Sequence, residues 1–113
     1  MLDAYAGACA VTGEHALPAL EAAHIRPWSA GGVHEVPNGL PLRRDLHRLF
    51  DLGYVSARPD GEFIVSPRLR EEFANGHTYY ALQGRKLLVP HDAAARPSQD
   101  LMAWHAEYVF LAA

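Results

Sequence analysis

Four polar side chains set within one short stretch limit what this chain can become. His24, Asn38, His47 and Asp51 follow one another as H-x13-N-x8-H-x3-D, all within 28 residues. The residues between them change pattern along the way. Leu20 to Ile25 reads as a strand ended by Pro27, and Ser29-Ala30-Gly31-Gly32 has the small residues of a loop. Pro37-Asn38-Gly39 is a turn signal, and Leu40 to Leu42 reads as a second short strand. A helix is expected over about Arg43 to Leu52, with Leu42, Leu46, Leu49 and Phe50 at helical spacing and Gly53 as its stop. The order is strand, loop, strand, helix, with His24 at a strand end, Asn38 in a turn, and His47 and Asp51 on the helix.

The helical pair carries the sharpest chemistry. Residues four apart share a helix face, so the His47 imidazole and the Asp51 carboxylate can converge on one divalent ion. A mixed nitrogen and oxygen set suits Zn, Mn, Co or Ni better than Mg. The single cysteine, Cys9, excludes an internal disulfide and the paired-cysteine zinc knuckle, so any metal rests on His, Asp or Glu.

The run AAHIRPWSAGGVHEVPNGLPLRRDLHRLFDLG resembles the core of HNH (ββα-metal) nucleases, in particular the subgroup found in bacterial restriction-like endonucleases. The opening CAVTG and the closing LMAWHAEYVF resemble that subgroup as well. The resemblance implies an α+β chain: a ββα-metal core of two short strands, a glycine-containing loop and a metal-binding helix, with an added β-hairpin and a C-terminal helix. It implies one HNH domain over residues 1–113, its core at about 20–53. It further implies a metal-dependent endonuclease that hydrolyses DNA phosphodiester bonds with one divalent ion. His24 would then be the general base, Asn38 would organise the loop and His47 would bind the metal.

One departure from the family bears on the ligand set. Many members carry Asp or His just before the base as a metal ligand, and here that residue is Ala23. Asp51 is the natural substitute and His34 a second candidate, while Ala23→Asp is expected to tighten metal binding. Arg26, Arg44 and Arg48 are the candidates for phosphate and DNA contact. Two other functions compete: a catalytically inactive nucleic-acid-binding module, favoured by Ala23, and a metal-stabilised interaction domain, favoured by seven histidines and an acidic balance.

The formal charge of −3 sits awkwardly with a phosphate ligand, which draws affinity from Lys and Arg. The clustering of Arg43, Arg44 and Arg48 answers this in part. No apolar run approaches the roughly 20 residues of a membrane span, and MLDAYAGACAVTG lacks the pattern of a signal peptide. The expectation is a soluble, cytoplasmic protein with no membrane partner, working with a separate recognition domain or assembly.

Downstream, Tyr54 to Ala57 and Glu62 to Val65 read as a hairpin about Pro59-Asp60-Gly61, followed by a helix over Pro67 to Ala74. Lys86 to Val89 reads as a short strand. A last helix is expected after Ser98 as N-cap, with Leu101, Trp104, Tyr108 and Leu111 on its packed face. His105 and Trp28 are expected to pack, Cys9 to be a small buried apolar residue, and His15, His77 and His91 to face solvent or lie in loops.

Overall fold

Strand β1 (Leu20–His24) pairs antiparallel with β2 (Gly39–Arg43), in a register that runs from Leu20 opposite Arg43 to His24 opposite Gly39. The computed structural model describes residues 3–113. The chain between the two strands forms a loop with short 3-10 turns at Trp28–Ala30 and Val36–Asn38. Helix α1 (Arg44–Leu52) follows β2 directly and packs on both strands. Its buried residues Leu46 and Phe50 stand one turn apart, which turns a single face to the sheet. Gly53 ends the helix at φ +88°, and its N–H reaches the carbonyls of Leu49 and Phe50.

A second hairpin joins β3 (Val55–Ala57) to β4 (Phe63–Val65) across the Pro59-Asp60-Gly61 turn. Helices α2 (Arg68–Phe73) and α3 (His77–Tyr80) come next, and α4 (Gln99–Tyr108) returns to pack on β3. The Ser98 side chain accepts the N–H of Leu101 and caps α4. Behind Gly53 the chain end closes tightly. The Leu111 N–H donates to the Gly53 carbonyl at 2.9 Å, and a Cβ at Gly53 would lie 2.2 Å from the Val109 oxygen.

The fold is α+β, and its first half is the ββα unit. One cluster of buried side chains runs through both hairpins: Ala23, Leu40, Leu42, Leu46 and Phe50 meet Val55, Phe63 and Val65. Full burial of each large member contributes about 1.5–3 kcal/mol, so α1 is held mainly by its apolar face.

Three expectations change. Lys86 to Val89 makes no strand. Glu62 and Lys86 form a single bridge, then Leu87 N–H bonds to Gly61 while Leu88 N–H bonds to Ala10. Successive donors serve different segments, so no ladder forms. The packed face of α4 is Met102 and His105, whereas Tyr108 is 70% exposed. His105 packs as expected, with hydrogen bonds at both ring nitrogens. Trp28 does not pack into the loop; it is 78% exposed.

Candidate active site

Asn38 builds the loop that carries the site. Its side chain is buried, and its Oδ1 accepts the Arg26 N–H at 2.9 Å. Its Nδ2 donates to the Arg26 carbonyl at 3.0 Å and to the Val33 carbonyl at 2.7 Å. One amide thus ties both ends of the loop to the turn before β2. Gly32 lies under the same crossing, where a Cβ would stand 1.7 Å from the Arg26 oxygen, so no larger residue fits without moving the backbone.

His47 is held between two carboxylates. Its Nδ1 lies 2.9 Å from Glu21 Oε1 and its Nε2 lies 3.2 Å from Asp51 Oδ2. With the Nδ1–H donated to the Glu21 carboxylate, a neutral His47 would turn its Nε2 lone pair toward Asp51, the arrangement that orients metal-binding histidines. Two donors on a tetrahedral ion at metal–nitrogen distances of 2.0–2.1 Å stand about 3.3 Å apart. The His47 and Asp51 atoms match that separation.

His24 closes β1 and faces both sides of the loop. Together with His47 and Asp51 it lines a cavity of about 280 Å³, walled by Ile25, Pro27 and Val109. Its Nε2 lies 3.2 Å from His34 Nδ1, with the two rings edge to face at 85°. His34 opens on a neighbouring recess with Glu35 and Val36, away from the His47 and Asp51 cavity. Among the described residues no group of three or more His, Cys, Asp or Glu side chains is spaced to hold a metal.

The arginines divide. Arg26 donates from Nε to the Ala30 carbonyl at 2.5 Å and lies over the Trp104 ring, 5.1 Å from its centroid, so it braces the loop against α4. Arg44 is exposed, 3.6 Å from Glu21 Oε2. Arg48 is exposed on α1 and has no ion pair among the described residues. Arg43 is committed to Asp45 through two hydrogen bonds, at 3.1 and 2.9 Å.

Sequence reasoning missed Glu21 and, for His105, anticipated the packing but not its partners. Glu21 is a lone carboxylate in the apolar strand Leu20–His24, two residues from Ala23 on the same strand face, and only the packing of α1 on β1 brings it to His47. His105 ties α4 to the end of α1: Nε2 donates to the Phe50 carbonyl at 2.9 Å, Nδ1 accepts from the Ser56 hydroxyl at 2.6 Å, and the ring stacks on Phe50. Burial pulls its pKa down to about 4, offset in part by the Phe50 carbonyl, so the ring is neutral. Ala23 has no exposed surface and belongs to the core, so the position that carries a ligand in many relatives is sealed here.

A strand, a clamped loop, a second strand and a helix bearing paired donors define the class as a ββα-metal core. Residues 9–56 match the family described as HNH endonuclease. The fold is similar to a solved structure described as a modification dependent TagI restriction endonuclease. The TM-score is 0.66 at 19% identity, covering 92% of this chain and 34% of that one. The chain thus spans about a third of that protein's length. No curated protein matches it.

Proposed function

We propose that the chain is the catalytic domain of a metal-dependent endonuclease acting on DNA phosphodiester bonds, as the restriction endonuclease it resembles in fold suggests. The observation that carries this reading is the convergence of His24, His47 and Asp51 on one cavity, with the His47 ring oriented by Glu21. His24 takes the proton from the attacking water. Nε2 of His47 and Oδ2 of Asp51 are the protein donors for one divalent ion, and the small number of protein ligands leaves room for water and a phosphate oxygen. The ion, when bound, supplies Lewis-acid stabilisation of charge on phosphorus and on the leaving oxygen. Asn38 holds the loop in place, and Arg44 and Arg48 offer exposed positive charge at the helix for the phosphate backbone.

The test is nicking of supercoiled plasmid with Mg²⁺, Mn²⁺, Co²⁺, Ni²⁺ or Zn²⁺ supplied in turn. Cutting that needs a divalent ion and is lost in His47→Ala supports the proposal. Binding to DNA without cutting under any ion favours the rival reading, a nucleic-acid-binding module, for which the sealed Ala23 and the short ligand set speak.

A further inference from the structure

We infer that His34 is the positioning residue for the base: it accepts the Nε2 proton of His24 and so holds His24 with the lone pair on Nδ1. This rests on the reading of His24 as base given above. Two ring nitrogens 3.2 Å apart form a hydrogen bond when one of them carries the proton between them. If His34 supplied it, the Nε2 lone pair of His24 would be consumed and its proton would sit on Nδ1, leaving no nitrogen free to take a proton from water. If His24 supplies it, Nδ1 is free.

The environment favours the second arrangement. His34 is exposed, so its own Nε2–H can be satisfied by water, and Nε2–H is the tautomer that a free neutral imidazole side chain prefers. The distance is also fixed from behind. Asn38 bonds the backbone of Arg26, two residues after His24, and the carbonyl of Val33, one residue before His34. The clamp on the loop is therefore also a clamp on the histidine pair. During attack His24 Nδ1 gains the proton from water, and the imidazolium formed keeps its Nε2–H on the neutral His34 Nδ1, which stabilises the charge. No other group needs to move.

The experiment uses the full chain as wild type, His34→Ala, His34→Asn and His24→Ala, with three readouts. These are kcat and KM for DNA cleavage in Mn²⁺, Mn²⁺ affinity by calorimetry, and the His24 tautomer from imidazole nitrogen NMR of the metal-free protein. The expected result is a kcat lower by roughly 10- to 100-fold in His34→Ala, the scale of lost orienting partners. KM and Mn²⁺ affinity stay unchanged. His34→Asn, whose side-chain oxygen stands near the place of Nδ1, recovers most of the rate. NMR shows Nε2–H on His24 in the wild type and a tautomer mixture in His34→Ala.

A wild-type kcat in His34→Ala, or an unchanged His24 tautomer, overturns the inference. Loss of a bound ion in His34→Ala overturns it too, because His34 is then a ligand. Full activity in His24→Ala fails the reading of the base itself, a different result from either.

Discussion

At the residue scale, the roles proposed for His47 depend on the groups on its two nitrogens. Glu21→Ala frees Nδ1 and lets the ring turn, so metal affinity is expected to fall by roughly 10- to 100-fold. Asp51→Ala is expected to weaken metal binding and cleavage together, with cleavage partly restored at high metal concentration. Calorimetry beside a metal titration of activity checks both, and an Asp51→Ala protein that binds metal as wild type does removes Asp51 from the site. At Ala23 burial sets a cost in stability beside the tighter metal binding expected of Ala23→Asp. A carboxylate placed on that sealed core position is uncompensated, so Ala23→Asp should cost about 3 kcal/mol or more. A thermal melt of the metal-free variant shows this as a lower Tm, and an unchanged Tm contradicts it.

At the element scale, the strand, loop, strand and helix order was legible because each boundary has a local cause: Pro27 after β1, Pro37-Asn38-Gly39 before β2, Gly53 after α1. The i, i+4 pair His47 and Asp51 was legible for the same reason, since helical spacing is local. Glu21 was not, because its meeting with His47 depends on how α1 lies across β1. On α4 the packing of His105 was legible, but its two hydrogen bonds were not, and Tyr108 was placed on the packed face although it is exposed. The His105 ring makes a pH-dependent joint between α4 and α1. The unfolded chain takes up a proton near pH 6.5, whereas the folded ring resists it to about pH 4. Its contribution is therefore fully present above about pH 6.5 and is lost as pH falls toward 4, amounting to about 3 kcal/mol. Denaturant unfolding at pH 7 and pH 4.5 should show a larger loss in wild type than in His105→Gln. Equal losses in the two proteins would remove His105 as the cause. Asp45, Asp60 and Glu72, whose carboxyls sit below their usual range, lose stability in the same direction, and the variant subtracts them.

At the scale of the whole molecule, the proposed site occupies one edge of a small fold with a formal charge of −3, and the structure it resembles is about three times as long. Arg44 and Arg48 are exposed on α1 beside the proposed site, so positive charge is available there despite the acidic total. No helix among the described residues is long and apolar enough to cross a membrane. The central claim is that His24 moves the proton while His47 and Asp51 hold the ion, so base and ligands are different residues. The most direct measurement sets plasmid cleavage beside metal calorimetry for wild type and His24→Ala. The account predicts cleavage slower by at least about 10²-fold in the variant with metal affinity unchanged; a variant that loses the metal, or one that cuts as fast as wild type, would contradict it.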